Sequence, residues 1–139
     1  MLKRLAISTL MLLSISIPAH ADPSDWRTPE ADANFAGMFS EKEINSIQEV
    51  LPPSEDLTRA IESKRAIASL LSKNPDYIYN LAAKVCDQMA IGTPQSILAS
   101  SITKGVIESK AKVKLHPLAA RYFGLQVVNV ANRYYCPSL

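Results

Sequence analysis

The stretch HPLAARYFGLQVVNVANRYYCP, residues 116–137, decides the fold of this chain. Its apolar residues cover much of the circumference of a helix, which is typical of a helix buried at the centre of a bundle. Pro117 suits the first turn of a helix, and Pro137 prevents the helix from continuing. The stretch therefore predicts a central C-terminal helix that ends at Cys136.

Four earlier segments carry helix start signals. Ser40 and Glu43 form a capping-box pair, and Ser54 is a cap for the next segment. Pro75 and Pro94 suit the first position of the two helices that follow. Apart from the brief KAKVKL, no stretch alternates polar and apolar residues as a strand would. The sequence predicts an all-α fold, a small bundle of about five helices around the C-terminal one.

The first residues have the pattern of a secretory signal. MLKR supplies positive charge, an apolar run from Leu5 to Ile17 follows, and small residues occupy the end of the segment. The run is shorter than the roughly 20 residues that a membrane-spanning helix needs. We expect a signal peptide over residues 1–21, cut between Ala21 and Asp22, and a periplasmic or extracellular product. The alternative is a short uncleaved anchor.

Charge divides the rest of the chain into two halves. Residues 22–63 hold ten acids and three bases, whereas residues 64–139 hold ten bases and three acids. Either the two halves attract each other, or the basic half faces an anionic partner. By composition, residues 22–39 are expected to be an extended polar lead-in, and residues 40–139 a helical domain.

Cys86 and Cys136 are the two cysteines of the chain. Export to an oxidising compartment allows a disulfide to persist, and two cysteines permit a single intramolecular pairing. Closing a loop of this length stabilises a domain by roughly 4 kcal/mol in the chain-entropy model. We expect a structural disulfide, with a labile, exchange-active bond or an intermolecular bond as the alternatives.

The paired cysteines also carry a family resemblance. Cys86 on one helix, a turn at Gly92 and the terminal Tyr135-Cys136-Pro137 resemble the small secreted helical domain-of-unknown-function family 732, over roughly residues 67–137. The resemblance implies an exported helical domain with a disulfide between Cys86 and Cys136, and it implies no enzymatic activity. The lysine-rich KGVIESKAKVKLHP and the long acidic N-terminal portion depart from the family pattern, so no shared partner is implied.

Catalytic and metal-binding groups are hard to assemble from this sequence. After the expected cleavage, His116 is the sole histidine, and no Gly-x-Ser-x-Gly motif accompanies it. Two distant cysteines and one histidine do not make a zinc site. The acids cluster in first helical turns, where the helix dipole accounts for them without a catalytic role. We expect no cofactor and no metal, and an enzymatic function is the less favoured interpretation.

Lysines gather between the last two predicted helices. Lys104, Lys110, Lys112 and Lys114 form a candidate contact with an anionic surface. Each basic residue near an anionic membrane contributes about 1 kcal/mol, so the contact would be weak and sensitive to salt. The alternative is a solvated loop that faces the acidic half. Export and overall neutrality argue against nucleic acid.

The function predicted from sequence is an exported, non-enzymatic helical module that binds a protein or a cell-envelope component. The alternative is a small periplasmic hydrolase or a redox accessory protein, which would use His116 or the pair Cys86 and Cys136. The sequence specifies no oligomeric state.

Overall fold

The computed structural model describes residues 25–108 and 114–139, and its regular structure there is entirely α-helical. The helices are α1 (Pro29–Gly37), α2 (Glu41–Val50), α3 (Glu55–Lys73), α4 (Pro75–Ala90), α5 (Gln95–Glu108) and α6 (Pro117–Tyr134). The all-α prediction is therefore confirmed, with six helices in place of about five. The expected signal peptide, residues 1–21, lies outside the described residues, as do Lys110 and Lys112.

Helix α6 occupies the centre of the bundle, as its sequence predicts. It packs against α1, α3, α4 and α5, and its Phe123, Val127 and Ala131 are completely buried. Much of its apolar surface is thus removed from water by four neighbours, which stabilises the fold.

The predicted helix boundaries rest on local capping. The Ser40 hydroxyl accepts a hydrogen bond from the Glu43 N–H at 3.2 Å, and the Ser54 hydroxyl accepts one from the Leu57 N–H at 3.0 Å. Gly92 follows α4 with φ of 97°, a left-handed conformation that glycine adopts without steric cost.

The expected extended lead-in over residues 22–39 is wrong where α1 forms. The Thr28 hydroxyl caps α1 by accepting from the Ala31 N–H at 3.0 Å, and Pro29 occupies its first turn. Phe35 and Phe39 are buried, with their ring centroids 5.1 Å apart. Phe35 and Phe39 are four residues apart, which is helical spacing, but one such pair in a largely polar segment is too weak a pattern to predict a helix. The tertiary burial of these rings, rather than the local pattern, stabilises α1.

A polar cluster ties α1 to the rest of the bundle. Arg27 pairs with Asp32 at 2.7 Å and donates to the Asn80 side chain at 2.8 Å. The Tyr135 hydroxyl donates to the other oxygen of Asp32 at 2.5 Å. The cluster thereby connects α1 with α4 and with the residue that follows α6.

We expect Tyr135→Phe to lower the free energy of unfolding by about 1–3 kcal/mol at pH 7, because Asp32 loses a part-buried donor. Burial and the bond to Asp32 raise the pKa of Tyr135 above its usual value. As the pH rises, the Tyr135 hydroxyl therefore loses its proton in the unfolded chain before it does so in the folded protein. The contribution of Tyr135 to the free energy of unfolding falls as the pH rises past about 10. Urea unfolding at pH 7 and at pH 11 measures both effects.

Tyr134→Phe is the matched control for this prediction, since it removes the same hydroxyl from the preceding, half-exposed residue. Its effect at pH 7 should stay within about 0.5 kcal/mol. Tyr135→Phe should also show a smaller loss of stability between the two pH values than the control. Identical pH dependence of the two variants would contradict the assignment.

Candidate functional site

The cysteine pair forms a buried structural bond. The sulfur atoms of Cys86 and Cys136 are 2.04 Å apart, with 5.9 Å between the Cα atoms. Both residues are completely buried. The intramolecular pairing predicted from sequence is confirmed, and the intermolecular alternative is wrong. Because thiol–disulfide exchange requires a thiolate to reach a sulfur atom, burial also disfavours the exchange-active alternative.

His116 caps the start of α6. Its Nδ1 accepts a hydrogen bond from the Leu118 N–H at 3.1 Å, and its backbone N–H donates to Glu62 at 2.8 Å. A general base needs a free nitrogen aimed at a nucleophile, with a partner that orients the ring. Here one ring nitrogen caps a helix, and no described serine or carboxylate side chain is hydrogen-bonded to the imidazole. This geometry gives no support to the hypothesis that the protein is a hydrolase that uses His116.

The lysine segment is only partly within the described residues. Lys104 lies on α5 and Lys114 precedes α6, and both side chains are exposed. No salt bridge joins either of them to an acid among the described side chains. The predicted attraction between the two halves does occur elsewhere: Arg65 of the basic half pairs with Glu41 at 2.8 Å. The basic half thus has exposed lysines that these contacts do not use.

An open groove runs along the seam between α5 and α6, next to Lys104. Its volume is about 580 Å³. On the α5 side, small side chains follow one helical stripe, and on the α6 side two larger side chains flank it. The lining comprises Ser96, Ala99, Ser100, Thr103, Lys104 and Ile107 of α5, with Arg121 and Leu125 of α6. We call this feature the α5–α6 groove.

The groove exists because the two helices touch at their backbones. A Cβ atom at Gly124 would lie 2.0 Å from the Ala99 carbonyl oxygen and 2.6 Å from the Thr103 hydroxyl. Only glycine fits this position of α6 without moving a neighbour. The groove therefore has a floor of backbone and small side chains, and Arg121 and Leu125, on either side of Gly124 in sequence, flank it.

Most of the exposed surface of the groove is apolar, although five of its eight lining residues are polar or charged, and the groove carries positive charge. Ile107 is 63% exposed and Leu125 46% exposed, although both are large aliphatic side chains. Lys104 and Arg121 are the charged residues of the lining. Neither is in a salt bridge with an acid whose side chain the structure describes. Glu108 follows Lys104 by one helical turn, but its side chain is outside the described set. Exposed aliphatic residues beside two cations are typical of a surface that meets an anionic, partly apolar partner.

Sequence reasoning found Lys104 but missed the rest of the groove. Arg121 and Leu125 belong to the helix whose apolar character predicted a fully central position. The pair Ala99 and Gly124, small residues on consecutive helices, was the signal that a close helix crossing was present. Without knowledge of how α5 and α6 cross, these two small residues do not indicate which side chains flank the helix contact.

Other kinds of site receive no support from the part of the chain that the structure describes. Within residues 25–108 and 114–139, no three His, Cys, Asp or Glu side chains are placed to hold a metal ion. None of the described helices is both long and apolar enough to cross a membrane.

Comparisons with models of protein families, with curated proteins and with solved structures found no match for this chain. The resemblance to family 732 accordingly stays a prediction, and functional inference rests on the α5–α6 groove.

Proposed function

We propose that the protein is an exported, non-enzymatic helical module that attaches to the anionic lipid surface of the cell envelope through α5 and α6. The observation that carries the proposal is the placement of exposed Ile107 and Leu125 beside Lys104 and Arg121 in the α5–α6 groove. The two aliphatic residues would enter the interfacial layer of the lipid, and the two cations would meet its phosphates.

The surroundings of the groove favour a lipid surface as the partner. Ile97, which follows the groove residue Ser96 on α5, is another large aliphatic side chain and is 55% exposed. Lys114 is exposed just before α6. Aliphatic side chains and cations therefore share the region around α5 and the start of α6. Three such cations would contribute about 3 kcal/mol, so attachment is weak and reversible.

Export supports the same proposal. The N-terminal sequence has the features of a secretory signal, and a buried disulfide is typical of proteins that fold in an oxidising compartment. A protein delivered there encounters the envelope surface directly. The alternatives, a hydrolase that uses His116 or a redox protein that uses the cysteine pair, have no geometry in their favour.

Cosedimentation of the purified protein with lipid vesicles tests the proposal. We expect binding to vesicles of equimolar phosphatidylglycerol and phosphatidylcholine, and little binding to pure phosphatidylcholine. Raising the salt concentration should weaken binding, because exposed charges are screened. Lys104→Gln with Arg121→Gln should weaken it by about 30-fold, the equivalent of two cations at about 1 kcal/mol each.

Lys73→Gln with Lys84→Gln is the matched control, since it removes the same charge from exposed residues of α3 and α4. The control should change binding by less than about twofold if the groove makes the contact, apart from the small long-range effect of net charge. Equal losses in the two double variants would mean that overall charge, and not this face, determines attachment. Equal binding to neutral vesicles would refute the proposal.

A further inference from the structure

We propose that the α5–α6 groove holds a single anionic amphiphile with one hydrocarbon chain. The chain lies along the seam between the helices, and the head group lies beside Lys104 and Arg121. This inference rests on the proposed attachment to lipid, and it specifies which molecule of the envelope the site recognises.

The shape of the site points to a discrete ligand. A flat or convex face is sufficient for contact with a bilayer, yet this face has a shallow groove that is widely open to solvent. The space above its lining residues is about 580 Å³. A groove of this size accommodates one hydrocarbon chain, which is narrow and takes the course of the seam.

The floor of the groove is fixed before any ligand arrives. Gly124 and Ala99 are in backbone contact, so α5 and α6 cannot move closer together there. Ala99 is itself buried, and Thr103 is partly buried against the same crossing. Sites that are formed in the free protein lose less free energy to ordering when the ligand binds.

The chemistry of the lining selects an anionic head and an apolar tail together. Ile107 and Leu125 offer apolar surface to a chain, and burying their exposed area is favourable in proportion to the area removed from water. Lys104 and Arg121 offer positive charge, and no carboxylate is among the described side chains that line the groove. A neutral hydrocarbon would leave the cations without a partner, and a cationic amphiphile would be repelled.

Hydroxyl groups add donors for the head group. Ser96 and Ser100 are exposed and line the groove on the same stripe of α5 as Lys104. Hydroxyls and cations together bind the oxygen atoms of carboxylates and of phosphates, and hydrogen bonds to a charged oxygen are stronger than neutral ones. The shared chemistry is therefore an oxyanion on a hydrocarbon chain, from a fatty acid or from a lyso-phospholipid.

Titration calorimetry with soluble amphiphiles below their critical micelle concentrations tests the inference. Decanoate and decyl phosphate represent the two sources of the oxyanion. We expect saturable binding of one molecule per chain for at least one of them. Decanol and decyltrimethylammonium have the same chain without the negative charge, and each should bind at least tenfold more weakly.

Two variants separate this site from attachment to a bilayer surface. Ser100→Trp fills the groove but keeps both cations, so it should abolish binding of the soluble amphiphile without weakening vesicle binding, because tryptophan itself favours the membrane interface. Ser72→Trp is its matched control at an exposed position of α3, and it should leave amphiphile binding unchanged. Circular dichroism checks that both variants are folded.

The outcomes are distinct. Stoichiometric binding that Ser100→Trp abolishes supports the inference. Vesicle binding without amphiphile binding overturns it and leaves the proposed attachment standing. Amphiphile binding that survives Ser100→Trp also overturns it, because the ligand then lies elsewhere. Absence of both activities refutes the inference and the proposed function together.

Discussion

Replacement of both cysteines, Cys86→Ala with Cys136→Ala, is expected to lower the free energy of unfolding by about 2–5 kcal/mol. The bond closes a loop with a sequence separation of 50 residues, and it joins α4 to the residue that follows Tyr135. Without the disulfide, the unfolded chain has more conformational entropy, which favours unfolding. A loss of this size is a large fraction of the roughly 5–15 kcal/mol that stabilises a typical domain.

Guanidinium unfolding with and without a reductant measures the effect and supplies its control. The wild-type protein should lose stability on reduction, whereas the double alanine variant should not respond to the reductant. The variant also loses two buried sulfur atoms, so comparison with reduced wild-type protein separates that packing loss from the loss of the bond. A difference below about 0.5 kcal/mol between oxidised and reduced wild-type protein would show that the bond does not stabilise the fold.

The bond fixes the residues that follow α6 to the core. Cys136 is buried next to Tyr135, and the ring centroid of Tyr135 lies 5.9 Å from that of Phe35. The same contact stabilises α1. Loss of the disulfide is therefore expected to loosen α1 together with the end of α6, since both share Tyr135.

Local signals predicted most of the fold. Ser40 and Ser54 cap α2 and α3 as their sequences indicate, and the apolar circumference of α6 predicted its central position. The disulfide followed from the count of two cysteines. The caps and the apolar pattern depend on residues close in sequence, and two cysteines allow only one intramolecular disulfide. Such features can be predicted without knowing the tertiary structure.

The features that depend on tertiary approach were missed. Helix α1 forms because Phe35 and Phe39 are buried by residues far along the chain, and a polar composition conceals that. The α5–α6 groove depends on the crossing at Gly124. Beside this crossing Leu125 is exposed, whereas Val127 and Val128 are buried. A helical period alone gave no reason to separate Leu125 from its apolar neighbours.

The crossing itself is tested by Gly124→Ala, which should destabilise the protein by about 2–3 kcal/mol, a typical cost of forcing an extra carbon into a packed interior. The new Cβ would lie 2.0 Å from the Ala99 carbonyl oxygen and 2.8 Å from its carbonyl carbon. Both are backbone atoms, so rotation of a side chain cannot relieve the clash. The helices must move apart, although alanine by itself favours a helix over glycine by about 1 kcal/mol.

Gly105→Ala is the matched control, because the same substitution in α5 would meet nothing within 4 Å. It should stabilise the protein by up to about 1 kcal/mol, as expected for alanine in place of glycine in an unobstructed helix. Thermal and urea unfolding of both variants measure the contrast in sign. Stabilisation by Gly124→Ala would show that α5 and α6 do not touch there, and the floor of the groove would then be lost. Destabilisation confined to Gly124→Ala, with weaker binding of decanoate, would show that this contact shapes the site.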